Sequence, residues 1–155
     1  MPLSTTSIAN SAAIAACQQV TTRLRLGITD ASIVIWSDST AAYLNANGSD
    51  KWPGMLGAAL AAMYPAVTVK ICVWDQTTHA YINLTTIATG SGSRVLTIYV
   101  ASKSGVAIDY FLAPDLEAMI GAIQPTLIMI SHGHNSGAFS VDDHRNQYIG
   151  AIESM

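Results

Sequence analysis

Charge is what this chain has least of. Only 11% of its 155 residues are charged, against about 25% in ordinary soluble domains. Lys51, Lys70 and Lys103 are scattered, as are the four arginines, and the net charge is −3. Nucleic acid needs a concentrated positive footprint, so it is excluded as a partner. Cysteine is nearly as scarce. Cys17 and Cys72 are too few for a disulfide framework or a cysteine metal cluster, and both are expected to be buried thiols. No apolar run reaches the length of a membrane span, so no membrane partner is expected. The opening "MPLSTTSIANSAAIAACQQV" lacks the basic stretch of a secretory leader. Repeats and low-complexity linkers are absent, and the sequons at Asn47 and Asn83 are read as chance.

Apolar side chains, by contrast, are plentiful, at 50% of the residues. A chain this long buries about 68–70% of its unfolded surface, so a single domain with a proper core is expected and disorder is excluded. So few charges also imply that part of the surface is covered by a partner subunit or by further chain.

Strands and helices alternate along the sequence. Ser7 to Leu26 is rich in helix formers and predicts a helix with Ile8, Ala12, Ala15, Ala16, Gln19, Val20, Arg23 and Leu24 on one face. Gly27 stops it. Ser32 to Trp36 is apolar on both faces, as a buried parallel strand is. Pro53 starts a second helix with a stripe of Met55, Leu56, Ala59, Leu60 and Met63, and Pro65 ends it. A second strand follows over Ala66 to Trp74, then an added strand and glycine turn over Ala80 to Ser93, and a third core strand over Arg94 to Ser102. Pro114 and Asp115 open a helix that runs to Pro125. Thr126 to Ser131 is the fourth core strand, and Val141, Tyr148, Ile149 and Ile152 have partly helical spacing. This alternation predicts a three-layer α/β/α, flavodoxin-like fold around a parallel sheet. Residues 1–31 form a leading helix and residues 32–155 the domain.

In such sheets ligands bind beyond the carboxyl ends of the strands. Three of those ends are polar: Ser37-Asp38-Ser39-Thr40, Ser102-Lys103-Ser104-Gly105 and Ser131-His132-Gly133-His134-Asn135. A serine there is a candidate nucleophile if a base takes its proton. The N–H groups of Ser39 and Gly105 and the amide of Asn135 are candidate donors to a developing oxyanion. Each residue alone has an ordinary structural role as well, Ser39 as a helix cap, Gly105 in a turn and Asn135 as a loop brace.

At these residues the sequence resembles the SGNH (GDSL-type) hydrolases. "SDST" is similar to their first block, "ASKSG" to their second and "ISHGHNSG" to their third, the most specific of the three. The resemblance runs from about Ile33 to Gly137. It implies Ser39 as nucleophile, an oxyanion hole of Ser39, Gly105 and Asn135, and Asp38 shaping the turn. Two departures stand out. Ser37 takes the place of the family's glycine before Asp-Ser. The late Asp-x-x-His block that supplies the family's base is not found, so the fold is expected to be truncated after the fourth core strand and its following helix. "VDDHRN" offers His144 with Asp142 as a substitute base, with the wrong spacing and position. His132 and His134 are expected to support the loop through hydrogen bonds, and with no acidic or cysteine ligand close by, no metal is expected.

The resulting expectation is a serine esterase acting on acylated carbohydrate or small esters. It needs no cofactor, and a His–Asp pair comes from downstream sequence or a partner chain. The alternative is an inactive structural or binding module of a larger surface or virion assembly. Either accords with an extracellular or virion-associated protein.

Overall fold

Residues 33–37 are buried without a break, as a strand covered on both faces must be. In the computed structural model, which describes residues 5–41, 51–106, 116–132, 140, 142–143, 145–147 and 149, they belong to strand β1 (Ala31–Ser37). Around it are helix α1 (Thr5–Leu26), helix α2 (Trp52–Met63), strands β2 (Thr68–Asp75), β3 (Ala80–Ala88) and β4 (Val95–Ser102), helix α3 (Leu116–Met119), a 3-10 turn (Gly121–Ile123) and strand β5 (Leu127–Ser131). The five strands form one sheet in the order β3-β2-β4-β1-β5. β2, β4, β1 and β5 run parallel, and β3 folds back antiparallel on β2. The chain is thus an α/β protein with a mixed, mostly parallel sheet.

Parallel register puts paired residues on the same face. Ile33, Ile35, Leu96, Ile98, Val100, Val69 and Ile71 form one buried layer with Val20 and Leu24 of α1 and with Leu56 and Leu60 of α2. Val34, Trp36, Trp74 and Ala101 form the other, closed by Met119 and Ile120. Burying a side chain such as Ile35, fully enclosed here, contributes about 1.5–3 kcal/mol. On the second face Trp74, Tyr81 and Tyr99 stand edge to face, with centroids 5.2 and 4.9 Å apart. The Tyr81 hydroxyl donates to the Met119 carbonyl at 2.6 Å, tying β3 to α3.

The crossovers explain why helices cover both faces. From β1 the chain passes α2 and crosses β4 to reach β2; from β4 it passes α3 and crosses β1 to reach β5. The two connections run in opposite directions across the sheet. Parallel crossovers are almost always right-handed, so opposite directions put their helices on opposite faces, as observed. In open α/β sheets the ends of strands whose crossovers diverge in this way are the usual place for a ligand.

Four expectations need correction. The α1 face packs only through its last turns: Val20 and Leu24 are buried, while Ala12, Ala15, Gln19 and Arg23 are exposed. Arg23 instead reaches the Asp30 carbonyl and the Thr126 hydroxyl, at 3.4 and 3.2 Å. In α2, Met55 and Met63 are exposed, and the buried residues are Pro53, Gly54 and Gly57. A Cβ at Gly57 would collide with Ile87 Cδ1. That glycine lets α2 sit close on the sheet and turns the methionines outward. The helix expected up to Pro125 is a single turn followed by the 3-10 turn. Gln124, next to the proline and barred by it from right-handed helix, sits at φ 47°. Finally, Cys17 is exposed; only Cys72 is buried, and burial pushes its thiol up to about 12.

Candidate functional site

The three adjacent strands β4, β1 and β5 each end in serine, and the register sets those serines side by side. Ser37 of β1 pairs with Ser102 of β4 on one flank and Ser131 of β5 on the other. Ser37 and Ser102 are buried. The Ser37 hydroxyl donates to the Ser131 carbonyl at 2.8 Å, and the Lys103 N–H donates to the Ser37 carbonyl at 3.1 Å. Ser37 thus pins β1 to β5, and the ladder to β4 continues one residue beyond the strand. Three strands ending in serine could have been read from the sequence; their shared register could not.

Directly after Ser37 the chain turns sharply. Asp38 is 1% exposed, and its Oδ1 accepts the Thr40 N–H at 2.9 Å. Its carbonyl accepts the Ala41 N–H at 3.3 Å. This is an Asx turn inside a β-turn. Ser39 occupies its corner, half-buried. The turn draws on the N–H groups of Thr40 and Ala41 and leaves that of Ser39 out of its own hydrogen bonds.

Just past the end of β4, Gly105 is exposed at φ +73°. This is left-handed backbone that glycine takes without cost and other residues do not. Ser104 and Gly105 form the turn that follows β4. Register alone carries the exits of β1 and β4 to the same rim, with Ser39 two residues past Ser37 and Gly105 three past Ser102.

His132 leaves β5 beside this turn. Its ring meets Trp36 edge to face, centroids 5.6 Å apart and planes at 75°. Burial pulls the imidazole down from 6.5 to about 4, while the nearby Asp38 carboxylate acts in the opposite sense. Desolvation wins, and the ring is neutral at pH 7. Trp36, absent from the expected site, is what His132 packs on. Its signal was there to see: an aromatic two residues before Asp38 on the same face of β1.

Asn135, His134 and His144 lie outside the described residues. Asp142 is exposed. Its neighbour Asp143 accepts the Ser140 N–H and hydroxyl at 3.1 and 2.6 Å, and its own N–H donates to Ser140 Oγ at 3.2 Å. That reciprocal pair caps the helical residues that follow, a role the Ser-x-x-Asp spacing announces. Among the described residues no three His, Cys, Asp or Glu side chains converge as metal ligands, and no helix is long and apolar enough to cross a membrane. An apolar cleft of about 650 Å³ lies between α1, α2 and β5, away from Ser39 and Gly105.

No family model matches the chain, and comparison with curated proteins and with solved structures found no match.

Proposed function

We propose that the chain is an SGNH-type acyl hydrolase domain with Ser39 as nucleophile. Its oxyanion hole is built from the N–H groups of Ser39 and Gly105 and the amide of Asn135. The observation that carries this reading is the register of Ser37 with Ser102 and Ser131. It supports three separately encoded loops meeting at the rim where the crossovers diverge.

In this reading Ser39 Oγ attacks the carbonyl carbon of an ester and its proton passes to a base. The tetrahedral oxyanion collapses, expelling the alcohol, which takes up that proton. Water then cleaves the acyl-serine by the same route and regenerates the hydroxyl. The base is a His–Asp pair from downstream sequence or a partner chain. The substrate class is acylated carbohydrate or a small ester, and no cofactor enters. A setting outside the cell or on a virion suits such a substrate.

The test is a panel of p-nitrophenyl esters together with a fluorophosphonate probe read by intact mass. Wild-type chain is expected to hydrolyse esters and to gain one phosphonyl group on Ser39. Ser39→Ala is expected to lose both, activity falling by at least about 10³-fold if the base is present. Equal rates for the two proteins sink the esterase reading.

A second reading is an inactive structural or binding module of a larger assembly, such as a virion protein. It is favoured by the apolar residues left exposed, among them Ile14, Met55 and Met63. An unreactive Ser39 in an otherwise folded chain is its expected result.

A further inference from the structure

Ser37 is bonded to both neighbouring strands at the level where they end. Its hydroxyl donates to the Ser131 carbonyl at 2.8 Å, and its carbonyl accepts the Lys103 N–H at 3.1 Å. The second contact belongs to the backbone, and any residue at this position could make it. The first needs a side-chain donor. Solvent does not reach the Ser37 side chain, so water does not compete for its proton, and a hydrogen bond so enclosed is strengthened. β5 depends on that bond more than β4 does. Among the described residues β5 has only β1 beside it and is five residues long, whereas β4 lies between β1 and β2. A short strand held along one side opens most readily at its ends.

We propose that Ser37 is a positioning residue: its hydroxyl straps the end of β5 to β1 and so fixes the point from which the Ser39 turn departs. Ser39 lies two residues past Ser37, and Gly105 two past Lys103, so the Ser37–Lys103 bond leaves little slack between the two turns. With the hydroxyl bond in place, the end of β1 is held from both flanks. Without it, the β4 contact remains and the end of β1 can pivot about it. Asp38 closes the turn immediately beyond, and a closed turn carries such a pivot on to Ser39. Ser37 touches no reacting atom. Its effect on catalysis rests on the reading of Ser39 as nucleophile; the strap between the strands stands apart from that reading.

The test uses the whole chain and two variants. Ser37→Ala removes the hydroxyl at nearly constant volume. Ser102→Ala removes a buried hydroxyl from the same row and leaves the strap in place. Amide hydrogen exchange is followed at Lys103, whose N–H bonds the Ser37 carbonyl, and at Thr40, whose N–H closes the turn, with Ile98 in the core as reference. Ser37→Ala is expected to speed exchange at Lys103 and Thr40 by about fivefold or more while Ile98 stays within about twofold, and Ser102→Ala is expected to stay near wild type. Thr40 exchange unchanged in Ser37→Ala overturns the proposal. So does a parallel rise at Ile98, which marks general destabilisation, or an equal rise at Thr40 in Ser102→Ala. In Ser37→Ala ester hydrolysis is expected to fall about tenfold through kcat with KM nearly constant, because a displaced reacting group loses rate rather than ground-state binding. A wild type that hydrolyses esters and a Ser37→Ala variant equal to it in kcat overturn the proposal and leave the esterase reading standing. If wild-type Ser39 proves unreactive while Lys103 and Thr40 respond as described, the strap holds and only the esterase reading fails.

Discussion

Acidification gives a quantitative handle on His132. In the unfolded chain an imidazole takes up its proton near pH 6.5; in the folded chain burial delays that uptake to about pH 4. Between these values the unfolded state holds more protons, so stability falls as pH drops through the window and is fully present above it. At about 1.36 kcal/mol per pH unit, the whole displacement would contribute about 3.4 kcal/mol. The ring is only half-buried, and solvent screening reduces that to about 1–2 kcal/mol. Urea unfolding at pH 7.5, 5.5 and 4 checks this in wild type and His132→Phe. Protonation of the other carboxylates is common to both proteins and cancels in the comparison. Wild type is expected to lose about 1–2 kcal/mol more than the variant between pH 7.5 and 4, a difference of roughly 0.5–1 M in urea midpoint. The direct reading is an NMR titration of the His132 ring. A midpoint above pH 6, or identical pH slopes for the two proteins, refutes the desolvation argument.

Two other sites give sharp outcomes. Gly57→Val places methyl groups where α2 meets Ile87 and Ile98; overpacking there is expected to cost about 2–3 kcal/mol, a fall of about 5–10 °C in melting temperature, whereas Ala58→Val on the exposed side of α2 should change it far less. Native chain should react with a thiol reagent at Cys17 alone, because Cys72 is buried and its thiolate suppressed; a second equivalent should appear only on unfolding, and rapid double labelling of folded protein contradicts the core assignment.

How much of this was legible beforehand depends on what kind of signal each residue carries. Strands β1, β4 and β5 were readable because apolar and β-branched runs end abruptly in polar residues, and periodicity is a local property. The extra strand β3 was readable for the same reason, although its pairing with β2 was not. α2 misled because a stripe of methionine and leucine suggests burial by hydrophobicity alone, whereas close approach at Gly57 decides which side faces the sheet. The helix before β5 misled because Pro125 acts on the residue before it, and Gln124 yields by leaving the helical region. Cys17 misled because α1 packs only by its last turns, a tertiary fact with no trace in its alanines. Within the candidate site, Ser39, Asp38 and Gly105 could be named from short motifs. The contact between Trp36 and His132 joins strands distant in sequence, and only register creates it.

The serine row also separates Ser39, the proposed nucleophile, from the other serines at this rim. Ser37 and Ser102 lie within the ladder and are buried, and the Ser37 hydroxyl is committed to the Ser131 carbonyl. Ser104 sits in the turn leading to Gly105, on the strand whose crossover departs over the opposite face. Ser39 follows β1, which has parallel neighbours on both sides, β4 and β5. It occupies the corner of a turn closed by Asp38, two residues beyond the last pair of the ladder. A nucleophile needs that combination of a fixed backbone and an uncommitted side chain, and an oxyanion donor needs the neighbouring N–H to be equally fixed. The Ser37 hydrogen bond to Ser131 and the ladder to β4 hold the end of β1, and the Asx turn fixes the backbone at the corner where Ser39 stands.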